Sequence, residues 1–377
     1  MDILSTPGML ANLFIGTLIP FFFVLLVVVF IHELGHYLVG RWCGIHAKEF
    51  AVGFGPELLG ITDRRGTRWK LCAIPLGGYV RYLGDLNVAS QPSGQEALAA
   101  MPPEDRARSF PAAALWKRAA AVAAGPAFNF ILAIAIFMTV FMLYGRERVD
   151  PIVTAVSEAS AAEEAGFEIG DRLIAADGIA LESFSDLQRY VQPRGDQEIV
   201  FTIERGGERI ELPATPRREE AEDQFGNTLR YGLLGLRADR TPETVTQERF
   251  GPVGAFSAAL SETGFIIRRT GGYLKDVVTG REDADQIGGP IQIARVSGQV
   301  ASLGFMPLVN LTALLSISIG LLNLLPIPIL DGGHLLFYAF EAVRGKPLSP
   351  RVQEWGFRIG LGLILSLMVF ATWNDIT

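Results

Sequence analysis

The sequence predicts an α-helical membrane protein with four transmembrane helices, a small membrane-associated β segment, and an α+β domain inserted between the second and third spans. Three observations support this. Hydrophobic residues make up 49% of the 377-residue chain and charged residues only 19%, the balance of an integral membrane protein. Runs long enough to cross a bilayer lie at 9–31, about 119–145, within 296–330 and near 357–373, and Arg358 is the one charged residue among them. Most acidic residues instead fall in 146–295, which reads as a globular aqueous part.

Taken in order, residues 1–47 hold the first span. Its first ten residues lack Lys and Arg, so the run reads as a retained span and not as a cleaved signal peptide. Pro20 suggests a kink inside it. Residues 48–85 read as a β-hairpin segment. Phe50, Val52 and Phe54 alternate with small residues, Asp63-Arg64-Arg65-Gly66 makes a turn between 58–61 and 69–73, and Gly77-Gly78-Tyr79 makes a further bend. Residues 86–111, with Pro92, Pro102 and Pro103, read as a polar loop. The second span, in 112–145, starts with small residues from Ala119 to Pro126 that permit close helix packing, and its Asn129 is expected to face a partner and not lipid. Residues 146–240 alternate strand patterns with a helix at 184–191 and a hairpin around Gly206-Gly207. Residues 241–302 read as a helical segment along the membrane interface, 303–343 as the third span, and 344–377 as the fourth, with Arg358 able to snorkel from its end.

Charge sets an orientation. The segment 41–118 holds eleven basic and seven acidic residues, and 344–358 holds Arg344, Lys346, Arg351 and Arg358 against Glu354 alone. Basic loops stay in the cytoplasm. Both termini and 146–295 are therefore expected outside, with 41–118 and 331–355 inside. A net charge of −7 without a basic stripe argues against a nucleic-acid partner. Cys43 and Cys72 form no C-x-x-C pattern and imply neither a disulfide framework nor a zinc ribbon.

At the end of the first span stands Phe30-Ile31-His32-Glu33-Leu34-Gly35-His36-Tyr37. On a helix, His32 and His36 share one face and can share one zinc ion, while Glu33 lies beside the metal, where it can take a proton from water. Ionisable groups against a membrane span are expensive and mark function. A catalytic zinc needs about three protein ligands and an open position, and His46, His334, Glu341 and Asp331 are the candidates for the third. The run from Asn323 to His334 breaks its helix at Pro326 and Pro328, and Gly332 and Gly333 allow a sharp turn. Irregular backbone at membrane depth is tolerated only where protein or a water-filled cavity surrounds it. The break thus favours Asp331 over His46 and Glu341; His334, three residues on, is not separated from Asp331 by spacing and is favoured for a structural role or for supporting a ligand. The charge-derived topology puts Asn323–Asp331 at the same cytoplasmic depth as the histidines.

H-E-x-x-H in a first span with N-x-x-P-x-P-x-L-D-G after a third resembles the site-2 protease family of intramembrane zinc metalloproteases. Val52-Gly53-Phe54-Gly55-Pro56, Ala73 to Val80, Ala124-Gly125-Pro126 with Asn129, and Gly288-Gly289-Pro290-Ile291 resemble its bacterial regulator-of-sigma-E type. Ala165-Gly166, Gly170-Asp171, Leu173 and Asp177-Gly178 follow the spacing of a PDZ domain of bacterial membrane proteases, which binds an extended peptide at a sheet edge. Well-known members carry two tandem PDZ domains, whereas this chain has room for one.

The resemblance implies zinc held by His32, His36 and Asp331, Glu33 as the general base, and substrate contacts from Asn323, Pro326 and Pro328. For the PDZ domain it implies a peptide C-terminus bound near Gly166 and Gly170. It also implies a bacterial inner-membrane location with a periplasmic PDZ domain. The implied substrates are single-span membrane proteins already trimmed outside, such as anti-sigma factors, cut within the bilayer after local unwinding. Strands of 48–82 offer an edge to the unwound stretch. Removal of signal-peptide remnants is an alternative duty for the same chemistry. A non-catalytic PDZ scaffold and a metal transporter are alternatives of a different kind.

Overall fold

The structure is a computed structural model and describes residues 12–85, 98, 100–222, 228–239, 241, 244–280 and 288–376. It divides into two compact units, Met1–Thr139 with Phe256–Thr377, and Val140–Ala255. Four helices, Phe14–Trp42, Leu115–Tyr144, Phe305–Asn323 and Pro350–Asn374, are long and apolar enough to cross a membrane. Even the shortest, at 19 residues, measures about 28 Å at 1.5 Å per residue, close to the hydrocarbon thickness of a bilayer.

The first span begins as a π-helix, Asn12–Leu18, and continues as α1 (Ile19–Trp42). Pro20 stands where the π-helical turns give way to α-helix within one continuous span, Phe14–Trp42, so the proline expected to distort the helix marks a change in its winding. Strands β1 (Ala47–Thr62) and β2 (Arg68–Tyr82) follow. Asp63 Oδ1 accepts the Arg65 and Thr67 amides at 2.9 and 3.0 Å and closes the turn between them. Their pairing is more than a hairpin. Phe50 has Cα partners in Trp69 and Val80, Ala51 in Lys70 and Tyr79, and Val52 in Leu71 and Gly78. The start of β1 is therefore the middle of a small sheet, and the expected bend at Gly77-Gly78 is taken up within β2 as a register shift. The rings of Phe30 and Tyr37 from α1 and Trp69 from β2 surround Phe50 at 5.6, 5.7 and 4.3 Å, which seats this sheet on the helix.

The expected loop at 86–111 lies partly outside the described residues, and its end differs from expectation. Pro103–Ala107 form the short helix α2, because a proline at the first turn and the acidic Glu104 and Asp105 after it are helix-starting features. The second span is α3 (Leu115–Tyr144), with Pro126 in its interior.

The second unit holds β3 (Arg146–Val149), β4 (Ala155–Val156), α4 (Ala161–Glu164), β5 (Arg172–Ala176), β6 (Ile179–Ala180), α5 (Phe184–Val191), β7 (Ile199–Arg205), β8 (Glu208–Ala214), β9 (Arg217–Glu222), β10 (Thr228–Leu233), β11 (Leu236–Arg237) and β12 (Val245–Glu248). Its main sheet runs β6-β5-β7-β8. Leu173, Ile199, Phe201 and Ile203 form its core with Leu187 and Val191 of α5, a helix opened by a capping box between Ser183 and Asp186. Gly166 and Gly170 adopt φ of +84° and +98° in the turns before β5. Buried Asp171 accepts Arg205 Nε and Nη2, both at 2.7 Å, which ties that turn to β7. The segment from 241 is not helical throughout: β12 pairs antiparallel with β3, the β-branched Val245 and Thr246 favouring a strand.

The chain continues as α6 (Pro252–Val278), α7 (Pro290–Ser302), α8 (Phe305–Asn323), α9 (Asp331–Arg344) and α10 (Pro350–Asn374). The uncharged stretch 296–330 is thus divided between two helices, with Gly304 at φ +122° as the hinge. After α10, Asp375 accepts the amides of Gly289, Ile291 and Gln292 at 2.7, 3.0 and 3.1 Å, satisfying the free N–H groups that open α7.

Candidate metal centre

His32 and His36 stand one turn apart on α1, and their Nε2 atoms face each other at 3.2 Å. Asp331, the first residue of α9, brings its Oδ2 to 3.2 Å from His32 Nε2 and 3.5 Å from His36 Nε2. That oxygen is buried and makes no hydrogen bond. Two ring nitrogens and a buried carboxylate oxygen thus converge on one point, a donor set that suits a cation. The spacing agrees: tetrahedral zinc with bonds near 2.0–2.1 Å separates its ligand atoms by about 3.4 Å. Among the described residues, this is the one group of three or more His, Cys, Asp or Glu that could hold a metal.

The far side of each ring is also held. His36 Nδ1 donates to the Ala121 carbonyl at 2.9 Å, which leaves Nε2 with a free lone pair. His32 Nδ1 lies 3.2 Å from the side-chain amide of Asn129, whose Oδ1 is buried and unbonded as placed. An amide's two ends are assigned from their hydrogen bonds. Turned end for end, Asn129 places Oδ1 on His32 Nδ1–H and frees His32 Nε2 for a metal as well. Both histidines then present the protonation state a metal requires.

Small residues admit this geometry. A Cβ at Gly125 of α3 would fall on the ring edges of His36 and His32, and one at Gly35 of α1 on the Ala124 carbonyl. Ser316 of α8 donates to the Asn129 carbonyl at 2.8 Å, so the third span braces the same turn of α3. Glu33 is 9% exposed. A Cβ at Gly78 would lie 3.0 Å from its Cγ, so β2 covers this carboxylate only because residue 78 lacks a side chain.

The bend that delivers Asp331 is strained. Ile329 adopts φ +105°, rare for a β-branched residue and held here by its surroundings. Gly332 and Gly333 let the turn fold back, since a Cβ on either would strike the carbonyls of Leu324, Leu325 or Ile327.

The other candidate third ligands are engaged elsewhere. Glu341 pairs with Arg118 of α3 through contacts of 2.6 and 3.2 Å. His46 receives Arg108 Nη2 at 3.3 Å. His334 packs its ring 5.4 Å from that of Phe357. Asn323 ends α8, and Pro326 is exposed beyond it. Pro328 instead packs within the protein, its carbonyl against Gly360 of α10. Gly166 and Gly170 belong to the other unit. Sequence reasoning did not foresee the contact of Gly125 with the histidines or the strain at Ile329. Asn129 was expected to face a partner, with its polarity inside an apolar span as the signal, but His32 was not identified as that partner.

The sequence profile of peptidase family M50 matches residues 20–367. Two relatives that carry the name "Putative zinc metalloprotease" are similar over nearly the whole chain. The one from Agrobacterium fabrum is 54% identical, covering 96% of each chain. The one from Mesorhizobium japonicum is 50% identical, covering 97% of this chain and 99% of its own. Metalloprotease MmpA from Caulobacter vibrioides is 40% identical with 96% of each chain covered. Among solved structures, the PDZ domain of an SdrC-like protein from Listeria monocytogenes aligns with 23% of this chain and 84% of its own at 18% identity. Its TM-score of 0.19 is too low to carry an argument about the fold. By the extent of the profile match and of these relatives, the chain belongs to peptidase family M50.

Proposed function

We propose that this peptidase is an intramembrane zinc endopeptidase, with His32, His36 and Asp331 as its ligands and Glu33 as its proton carrier. The convergence of Nε2, Nε2 and the unbonded Oδ2 on one point beside the first span is the observation that carries this reading. When bound, zinc supplies the Lewis acidity that polarises a peptide carbonyl and activates water. Glu33, one residue beyond His32 and covered by β2, accepts the proton of the attacking water and returns it to the leaving amine. Asn129 and the Ala121 carbonyl hold the two imidazoles in register.

A transmembrane helix hides its peptide bonds in its own hydrogen bonds, so the substrate unwinds locally before attack. Pairing with a strand edge stabilises the unwound stretch. Of the strands in 48–82, residues 50–52 do not supply that edge, since they are paired on both sides within the sheet. The Gly78–Val80 stretch, beside Glu33, is the better placed one. Asn323 and the exposed Pro326 at the end of α8 hold the substrate backbone, and Pro328 shapes the bend behind them.

The charge pattern supports an inner-membrane orientation with both termini and the 140–255 unit in the periplasm and the metal centre near the cytoplasmic side. The substrates are then single-span proteins trimmed on the periplasmic face, anti-sigma factors among them. The PDZ-like unit acts on the trimmed C-terminus through the loop of Gly166 and Gly170.

The test compares wild type with Glu33→Gln on a tagged single-span substrate shortened on its outer side, with zinc content measured for both. Zinc retained and cleavage lost is the expected result. Cleavage by Glu33→Gln at the wild-type rate removes Glu33 from the mechanism, and a folded wild type that takes up no zinc overturns the metal centre.

A further inference from the structure

Beyond the last turn of α1 lies a cavity of about 380 Å³ that the metal chemistry does not use. Arg41, His46, Arg65, Thr67 and Arg108 line it. Three arginines thus line one space, and among the described residues none of them forms an ion pair with a carboxylate. Arg41 donates to the Tyr37 hydroxyl at 2.6 Å, Arg108 to His46, and the Arg65 side chain makes no hydrogen bond within the described residues. Nearby, Asp63 and Asp105 act on His46 against Lys48 and Arg108, and Arg41 acts on Asp63, so that with Arg65 four cations face two carboxylates.

His46 completes the chemistry. Its Nδ1 accepts from Arg108, so its ring hydrogen sits on Nε2 and the imidazole is a neutral donor. Burial first, then the positive Arg108, keeps its proton affinity below the ordinary histidine range. The cavity therefore offers guanidinium forks and an N–H, a set that matches the oxygens of a phosphate. Its position narrows the source. Arg41 and Gly44 lie at the end of a spanning helix, and Trp42 between them is 75% exposed, as tryptophans at the lipid headgroup level are. Basic pockets at that level take anionic headgroups.

We propose that this cavity is a binding site for an anionic phosphate group, the phosphodiester of a lipid headgroup or a free phosphate, held by Arg41, Arg65, Arg108 and the His46 N–H. It does not depend on the protease reading.

The test uses the full chain, delipidated in neutral detergent. Short-chain phosphatidylglycerol, short-chain phosphatidylcholine and inorganic phosphate are titrated separately, followed by thermal shift and native mass spectrometry. Arg65 and Arg108 are exposed, so the double variant Arg65→Gln/Arg108→Gln leaves the core intact. Arg344→Gln/Arg351→Gln removes the same charge outside the cavity. Phosphatidylglycerol is expected to stabilise wild type and the control pair, and to bind the cavity variant at least tenfold more weakly. Stabilisation by phosphatidylglycerol but not by phosphate identifies a headgroup site; the same response to phosphate identifies a free-phosphate site. The proposal is overturned if neither anion binds wild type, if phosphatidylcholine does as well as phosphatidylglycerol, or if the cavity variant binds like wild type.

Discussion

Asn129 offers the sharpest test of how the metal centre is held. Its side chain is fully buried within α3 and meets His32 Nδ1 at 3.2 Å. If Oδ1 is the atom at that contact, Asn129 acts as an acceptor, and an acceptor is all that His32 needs to keep Nε2 free. Asn129→Leu removes it at similar volume and leaves a buried N–H without a partner. Loss of such an outer partner typically weakens metal binding 10–100-fold, or about 1.4–2.7 kcal/mol. The unpaired N–H destabilises the metal-free fold by a further 1–3 kcal/mol or so. Asn129→Asp has no N–H to donate but keeps an acceptor in the same place, as in carboxylate–histidine–zinc arrangements. Zinc affinity measured by competition with a chromophoric chelator should therefore fall in Asn129→Leu and survive in Asn129→Asp. A merely structural asparagine would not separate the two variants in this way. Wild-type zinc affinity in Asn129→Leu, or equal loss in both, would refute the reasoning.

Other predictions follow from contacts already described. Gly125→Ala places a methyl on the metal-facing edge of His36; zinc content is expected to fall below one tenth of wild type while far-ultraviolet circular dichroism is unchanged, and full zinc loading would show that α1 and α3 can separate at no cost. In the 140–255 unit, burial tends to raise the Asp171 carboxyl, but hydrogen bonds from Arg205 and the Glu168 amide outweigh it and hold the group below its ordinary range. A carboxyl lowered in the folded state adds stability above its unfolded pKa, and that stability is lost as pH falls through the folded value. Asp171→Asn should therefore destabilise this unit at neutral pH and flatten the acid limb of its Tm profile, and an unchanged acid limb would remove Asp171 as its source.

The parts of this protein legible in the sequence are those whose geometry is local. His32 and His36 meet because four residues make one turn of a helix, whatever surrounds them. The spans are legible because length and missing charge suffice to place them, although Gly304 divides one uncharged stretch into two helices. The arrangement of 47–82 was not legible beyond its strands. Which of Trp69 and Val80 lies beside Phe50 depends on pairing across the segment, and both do, because Phe50 is buried in the middle of the sheet. Pro102 and Pro103 read as loop residues for the same reason that Pro103 starts a helix: proline ends one structure and tolerates the first turn of the next. Gly125 was legible as part of a small-residue run and of the Ala124-Gly125-Pro126 motif, but not as a neighbour of the histidines. Its meaning appears only when a second helix lies against it.

Asp331 joins these levels. A third ligand on a regular continuation of α8 would have its direction set by helical phase alone. The chain instead leaves the helix at Leu324, passes through Ile329 at φ +105° and restarts with Asp331 as the first residue of α9. A carboxylate at a helix N-terminus is favoured by the free N–H groups and the helix dipole there. The strain at Ile329 and the carbonyls crowding Gly332 and Gly333 leave the turn few alternatives. Such stored strain is tolerated where the surroundings over-determine it, and here packing of the Pro328 carbonyl on Gly360 of the fourth span provides that constraint. The fourth span thus has a part in the proposed metal centre although it contributes none of the proposed ligands: it fixes the bend that aims Asp331 at the two histidines.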